Sequence, residues 1–213
     1  MHTAGAILAG GRASRFGGRP KGQLYLPNGQ TFVSRLLVEM KSAGLGPVVV
    51  SADENEPYAD LGVPVVPDLA VSAGPLGGIE AVLAYYRAST YRDSIGAVLF
   101  LPCDLPGLTR QEIRRLLDGY RRRPDRILSA ETADGARHPL CSVIPVALLD
   151  RISNAVRDGH LGIKRLWDEL GAGTIRFDRL DRFFNINSKS DYDSLFKTSP
   201  SPAPPQDTTR PAE

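Results

Sequence analysis

The chain has 213 residues, of which 42% are hydrophobic, and this is enough for one well-buried domain but short for two. Its 26 Lys and Arg residues nearly balance its 24 Asp and Glu residues, which leaves a formal net charge of +2. No strong overall field therefore directs the protein to nucleic acid or to a membrane surface, and any recognition of phosphate must be local.

The two cysteines, Cys103 and Cys141, lie far apart and form neither a C-x-x-C pattern nor a disulfide framework, as is typical of a reducing compartment. Residues 1–5 lead into a short apolar run without a basic leader, so we expect no export signal. No segment approaches the roughly 20 apolar residues of a membrane span. We therefore predict a cytoplasmic protein, with no membrane or nucleic-acid partner.

Short β-rich runs alternate with helical patterns in the first half, which is typical of parallel strands with helices on both sheet faces. The predicted strands are residues 4–9, 47–51, 63–66 and the continuous apolar run 95–101. The predicted helices are residues 31–43, which Gly44 ends, 76–87 and 110–122. This pattern predicts the α/β class.

The second half is less regular. It predicts strands at 126–131, 139–145 and 174–177 and helices at 146–156 and 163–170. Ser188 and Asp191 resemble a capping box, which predicts a last helix from there to about Lys197. Residues 198–213 are rich in Pro, Ser and Thr and have no large apolar residue, so we expect a disordered tail. We predict a single domain over residues 1–197.

A loop with four glycines and four basic residues, residues 8–21, follows the first strand. Glycines let backbone N–H groups approach phosphate oxygens, while Arg and Lys neutralise the charge of a triphosphate and of a leaving pyrophosphate. Such loops lie at the carboxyl ends of strands, where α/β sheets bind ligands. The loop contains neither G-x-x-x-x-G-K-[ST] nor G-x-G-x-x-G, so it is neither a Walker A loop nor a dinucleotide fingerprint.

The same loop resembles the L-A-G-G-x-x-x-R-[MF]-G-x-x-x-K signature of the molybdenum cofactor guanylyltransferases. The matching residues are Leu8, Ala9, Gly10, Gly11, Arg15, Gly17 and Lys21. Phe16 replaces the common Met, and Pro20 replaces the common Asp. The resemblance implies a Rossmann-like three-layer sandwich with a mainly parallel sheet, as in nucleotide-diphospho-sugar transferases. It also implies that the first four matching residues and Lys21 bind nucleotide, and that Arg15 and Lys21 are catalytic residues holding pyrophosphate.

A second motif combines Asp68 with Gly74-Pro75-Leu76-Gly77-Gly78, and it resembles the family's aspartate followed by G-P-L-x-G. A helix that begins near Leu76 offers free N–H groups and a positive dipole end. The alternative interpretation is a tight turn into a helix. The resemblance implies that Asp68, Gly74, Leu76 and Gly78 bind nucleotide. Ser51, where the family often has a nucleotide-contacting Asn, is a further nucleotide-binding candidate.

The third motif, Pro102-Cys103-Asp104-Leu105-Pro106, resembles the family's P-C-D-x-P at the end of a buried strand. A lone carboxylate there suits Mg²⁺, which is often bound by one carboxylate plus substrate phosphates. We therefore predict that Asp104 is a nucleotide-binding and catalytic metal ligand. The alternative is an Asp that caps the next helix, although Thr109 is better placed for that. Cys103 has no identifiable His partner, so we interpret it as a packing residue.

The second half carries weaker motifs. His138-Pro139 and the segment from Asn185 to Asn187 resemble the family's H-P and N-[VI]-N-[ST] elements, on the side attributed to the pterin acceptor. We expect His138, Asn185 and Asn187 to be acceptor-binding residues, with a structural His and a turn-forming Asn pair as the alternatives. Three cations, Arg157, Lys164 and Arg165, are candidates for binding an acceptor phosphate. The alternative is that they are solvated surface residues.

The ordered motifs together imply a reaction. The resemblance indicates a Mg²⁺-dependent transfer of GMP from GTP to the terminal phosphate of molybdopterin, with residues 1–107 on the nucleotide side and 108–197 on the acceptor side. The alternatives are a molybdenum cofactor cytidylyltransferase, a sugar-1-phosphate nucleotidyltransferase and a noncatalytic nucleotide or cofactor carrier. Other cofactor-biosynthesis proteins and recipient apoenzymes are the expected protein partners.

Overall fold

The structure is a computed structural model, and it describes residues 2–10, 16, 18–53, 56–69 and 73–197. The sequence-predicted residues Gly11, Arg15 and Gly17 and the predicted tail, residues 198–213, lie outside this range. Within it, no helix is both long enough and apolar enough to cross a membrane.

One seven-stranded sheet forms the centre of the fold. Its strands are β1 (His2–Leu8), β2 (Val48–Ser51), β3 (Val65–Val66), β4 (Ile95–Pro102), β5 (Leu128–Thr132), β6 (Arg137–Pro145) and β7 (Gly173–Phe177). Their order across the sheet is β3-β2-β1-β4-β6-β5-β7. β6 runs antiparallel to both of its neighbours, and the other pairs are parallel. The sheet is therefore mainly parallel, as predicted.

Six α-helices occur in the described part of the chain, and the first five pack on the two faces of the sheet. They are α1 (Phe32–Ser42), α2 (Pro75–Ala88), α3 (Arg110–Arg122), α4 (Leu149–Arg157), α5 (Ile163–Glu169) and α6 (Lys189–Lys197). Alternate residues of β4 enter two separate hydrophobic clusters, Leu99 packing with α1 and α3 and Phe100 with α2, α4 and α5. This arrangement confirms the three-layer sandwich.

The helix boundaries follow the capping residues. Thr31 accepts a hydrogen bond from the Ser34 backbone N–H at the start of α1, and Gly44, at a φ of 90°, follows its end. Thr109 and Glu112 form a capping box at α3, and α6 has the corresponding pair, Ser188 and Asp191. The predicted starts of α1, α3 and α6, and Thr109 as the cap of α3, are confirmed.

Several element boundaries differ from the predictions. Residues 146–148 form a 3₁₀ turn, so α4 begins only at Leu149. α2 begins one residue early, at Pro75, because proline has no N–H to leave unpaired at the first helical position. The third strand is only Val65–Val66, and a 3₁₀ helix at Glu56–Leu61 was not predicted.

The strand register brings the functional loops to one edge of the sheet. Leu8 at the end of β1 lies beside Ser51 and Pro102, the last residues of β2 and β4, and Ser51 lies beside Val66 of β3. The antiparallel β6 starts where its neighbours end, since Phe100 pairs with Ser142. The loops after β1 to β4 and the first residues of β6 therefore share the carboxyl edge.

Candidate active site

Three residues from distant parts of the chain meet at the carboxyl edge. The Lys21 ammonium group donates to Asp104 Oδ2 at 3.3 Å and to Asn187 Oδ1 at 2.9 Å. The Lys21 and Asp104 side chains are 27% and 23% exposed, so the ion pair is accessible to a ligand yet partly shielded from water. The structure thus joins the glycine-rich loop, the P-C-D-L-P motif and the N-I-N segment.

Backbone contacts and a small apolar cluster position these side chains. The backbone N–H of Ile186 donates to the Asp104 carbonyl at 3.0 Å, which ties the N-I-N segment to the loop after β4. The Ile186 side chain is fully buried with Leu24 and Phe32. Its neighbour Asn187 is thereby placed against Lys21, and burial of Ile186 is the reason for the apolar residue between the two asparagines.

A second group lies at the ends of β2 and β3. Ser51 is almost fully buried, and its side chain hydrogen-bonds to Asp68. A methyl group on Gly78 of α2 would lie 2.5 Å from Ser51 Oγ and 3.2 Å from Asp68 Oδ1. Burial and the nearby charge of Asp53 raise the pKa of the Asp68 carboxyl, while the Ser51 hydrogen bond opposes them. The glycine therefore permits a close polar cluster beside the first turn of α2.

The other nucleotide candidates offer backbone groups. The side chains of Leu8, Ala9 and Leu76 are buried and pack in the core, so these residues can offer a nucleotide only their backbone groups. The Ala9 N–H already donates to the Ser51 carbonyl at 2.8 Å, whereas Gly10 is exposed. Gly74 is exposed and precedes α2 at a φ of 60°, a conformation that favours glycine. It directs the start of α2, with its unpaired N–H groups, to the carboxyl edge.

The acceptor candidates lie on two elements, β6 and the segment that precedes α6. His138 lies half-buried near the start of β6, with its ring 4.9 Å from that of Phe183 and its Nε2 3.3 Å from Thr132 Oγ1. Burial chiefly lowers the pKa of His138, and the charge of Lys164 lowers it further, against the opposing charges of Asp134 and Asp104. Asn185 is exposed, and Asn187 contacts Lys21.

The residues fit a metal ion that arrives with a nucleotide. No group of three or more His, Cys, Asp or Glu residues with metal-binding geometry occurs in the described ranges. Asp104 supplies one partly exposed carboxylate, and Mg²⁺ commonly binds through one or two carboxylates together with substrate phosphates. The donor set at this edge thus suits a metal shared with a triphosphate, and not a metal cage made by the protein alone.

Cys103 is poorly suited to act as a nucleophile in this setting. Its side chain is buried, and burial, with the adjacent Asp104 charge, raises the pKa of the thiol to about 12. Cys141 is buried too, and both cysteines are free. The structure therefore agrees with the predicted packing role and with the absence of a disulfide bridge.

The contact between Lys21 and Asn187 was missed by sequence reasoning. The two residues are 166 positions apart, and the motif containing Asn187 was assigned to the acceptor by resemblance. No local pattern indicates the pairing. The alternation of buried Ile186 with two polar neighbours was the available signal that this segment is anchored next to a site.

Residues 5–174 match the family described as MobA-like NTP transferase domain. The chain is 32% identical over 196 residues to a molybdenum cofactor guanylyltransferase from Yersinia pestis, covering 90% of this chain and 94% of that protein. Among solved structures, molybdopterin-guanine dinucleotide biosynthesis protein A from Archaeoglobus fulgidus has a TM-score of 0.73 at 20% identity, covering 91% of this chain and 97% of that one. A Mycobacterium tuberculosis H37Rv protein in complex with manganese has a TM-score of 0.63 at 18% identity, covering 93% and 100%. The chain belongs to the MobA-like NTP transferase domain family and is a nucleotidyltransferase.

Proposed function

We propose that this protein transfers GMP from GTP to the terminal phosphate of molybdopterin, releasing pyrophosphate and forming a guanine dinucleotide of the cofactor. The observation that carries the proposal is the contact of Lys21 with both Asp104 and Asn187. It joins the three parts of the chain that resemble the family's separate motifs. The Yersinia relative, named for this activity, supports the substrate assignment.

The work of the site is alignment and charge stabilisation. Lys21, with Arg15 from the same loop, binds the departing pyrophosphate, which leaves with more charge than it carries in the triphosphate. Asp104 holds the Mg²⁺ ion, and when bound this ion stabilises charge on the phosphate oxygens of the transition state. The Lys21 ammonium group contacts the Asp104 carboxylate in this structure. When the nucleotide binds, Lys21 leaves the carboxylate and contacts phosphate oxygens.

The remaining candidates divide between the substrates. Ser51, Asp68 and the first turn of α2 bind the nucleoside and phosphates, with Gly10 and Gly11 at the loop. His138, Asn185 and Asn187 face the acceptor, so residues 1–107 serve the nucleotide and residues 108–197 serve the pterin. Free, buried cysteines suit the reducing cytoplasm, where we place the reaction.

Cytidylyl transfer to the same pterin is the second candidate, because Ser51 stands where the family often has an asparagine. A hydroxyl is shorter than a carboxamide, so it reaches less far toward a base. The accessible Lys21–Asp104 pair argues against a noncatalytic carrier, since binding alone requires no carboxylate for a metal.

The first test is calorimetric titration of the protein with GTP, CTP and UTP, each with and without Mg²⁺. We expect GTP to bind most tightly and only GTP affinity to rise strongly with Mg²⁺. A preference for CTP would replace the guanylyl assignment with the cytidylyl one.

Transfer itself is tested with the Asp104→Asn variant in a molybdopterin-dependent assay of pyrophosphate release. We expect a loss of about 100-fold or more, the size seen when a charge-stabilising group is removed. The matched control is Asp93→Asn, which should retain full activity because its carboxylate is 94% exposed and precedes β4, at the opposite end of that strand from Asp104. Comparable turnover by both variants would remove Asp104 from the mechanism.

A further inference from the structure

A groove of about 710 Å³ lies between α3 and β7, apart from the nucleotide site. One wall is the face of α3 that includes Arg115 and Gly119, and the other is formed by residues 174–176 of β7. A methyl group on Gly119 would lie 2.5 Å from Ile175 Cδ1, so the helix and the strand are in close contact at the floor.

The groove is strongly basic. Its lining includes Arg114, Arg115, Arg122 and Arg176 and a single acidic residue, Asp118. The Asp118 carboxylate already accepts a hydrogen bond from Arg121 at 2.7 Å. The whole chain has a net charge of only +2, so the groove concentrates positive charge that the overall composition does not reveal.

Three of these arginines are held in place by the protein itself, and one of them, Arg176, donates to the Ala133 carbonyl at 3.2 Å. Arg114 donates to the Ser42 carbonyl at 3.1 Å, and the Arg115 guanidinium carbon lies 5.2 Å from the centre of the Phe177 ring. A flexible arginine loses side-chain entropy when it binds a ligand, and this loss weakens binding. Guanidinium groups that are already held in place lose less entropy, so they bind an anion more tightly. Each guanidinium has five N–H donors, and these contacts use only part of that capacity.

In the described part of the chain, β7 lies at one end of the sheet and pairs only with β5. The Gly173 N–H donates to Ile127, and the Phe177 carbonyl accepts from Ala133, so these residues face β5. Because alternate residues of a parallel strand bond to the same neighbour, the backbone groups of Thr174 and Arg176 point away from the sheet. They form a template to which another strand can add.

We propose that this groove docks an extended acidic segment of a partner protein, which adds to β7 as a strand and sets its carboxylates against the arginines. A second copy of this chain is disfavoured, since pairing two β7 edges brings arginines together. Nucleic acid is disfavoured because, among the residues that the structure describes, no aromatic side chain lines the groove to stack on a base. The inference concerns a surface outside the nucleotide site and does not depend on the proposed reaction.

The probe is a fluorescein-labelled peptide of six Glu-Val repeats, titrated into the full chain and followed by fluorescence anisotropy. The test variant carries Arg122→Glu and Arg176→Glu, both at exposed groove positions. The matched control carries Arg92→Glu and Arg151→Glu, exposed positions outside the groove that change the net charge equally. Circular dichroism verifies that all the proteins are folded.

We expect the peptide to bind the wild type and the control alike, and the groove variant at least tenfold more weakly. A peptide N-methylated at alternate residues keeps its charge but loses backbone donors, so it should also bind at least tenfold more weakly. No binding at low salt, equal loss in the control, or unchanged affinity after N-methylation would each overturn the proposal. Tighter binding of a labelled oligothymidine than of the peptide would identify a nucleic-acid surface instead.

Discussion

Replacing Gly78 by alanine tests whether the polar cluster at the ends of β2 and β3 binds the nucleotide. The added methyl would approach Ser51 Oγ to 2.5 Å and Asp68 Oδ1 to 3.2 Å, and it would lie 3.3 Å from Leu8 Cδ2. The Ser51 hydroxyl can rotate away, but it then leaves the Asp68 carboxylate without its hydrogen bond. The substitution therefore disturbs the proposed nucleoside contacts more than it disturbs the core.

The effect of Gly78→Ala on folding stability can be separated from its effect on nucleotide affinity. Overpacking costs about 1–3 kcal/mol of folding stability, and alanine returns about 1 kcal/mol through its helix propensity, so the free energy of unfolding should fall by about 0–2 kcal/mol. A hydrogen bond to a charged group contributes about 1.5–3 kcal/mol, which corresponds to a loss of nucleotide affinity of at least tenfold. Urea denaturation gives the first quantity, and GTP calorimetry with Mg²⁺ gives the second.

The matched control is Gly119→Ala. This glycine is also buried in a helix, and its methyl would lie 2.5 Å from Ile175 Cδ1, but it is in the last third of α3. We expect a similar change in stability and unchanged GTP affinity. If Gly78→Ala binds GTP as tightly as the wild type, or if both variants lose affinity equally, the assignment of Ser51 and Asp68 to the nucleotide is wrong.

Three further predictions concern single groups. The pKa of Asp68 is raised in the folded protein, so the free energy of unfolding should fall as the pH rises from the ordinary Asp pKa through the raised one. In urea titrations, the Asp68→Asn variant should be more stable than the wild type at pH 7 and equally stable near pH 3. The Lys21→Met variant should transfer nucleotide about 100-fold more slowly or worse. It should also bind Mn²⁺ more tightly in the absence of nucleotide, because the Lys21 ammonium group no longer competes with the metal for Asp104. Electron paramagnetic resonance measures the Mn²⁺ affinity, and an unchanged affinity would contradict this prediction. Burial raises the pKa of both Cys103 and Cys141, so a thiol reagent should label neither in the native protein and both in urea.

Most of the fold could be predicted because its signals are local. The apolar run of β4 and the repeating apolar positions of α1 identify those elements without any distant partner. Thr109, Ser188 and Gly44 determine where helices begin or end through bonds within one turn. The motif residues at strand ends could likewise be assigned to one edge, because the ends of parallel strands share it.

The remainder depends on contacts that no local pattern specifies. The direction of β6 is set by its pairing with β4 and β5, and apolar strands of either direction have similar sequences. The pairing of Lys21 with Asn187 depends on where Ile186 packs in three dimensions. The basic groove requires α3 and β7 to lie side by side, although their arginines are separated along the chain.

The reversal of β6 also places a hairpin turn at the carboxyl edge of the sheet. The turn at residues 133–136 connects β5 to β6 at the carboxyl edge, where Gly135 has a φ of 84° and Thr132 donates to the Ala136 carbonyl at 2.9 Å. This hairpin tip projects beside His138, while the nucleotide loops come from the other side of β4. Under the proposed assignment of His138 to the acceptor, a longer turn grafted there would change the acceptor side of the site and leave the loops after β1 to β3 in place.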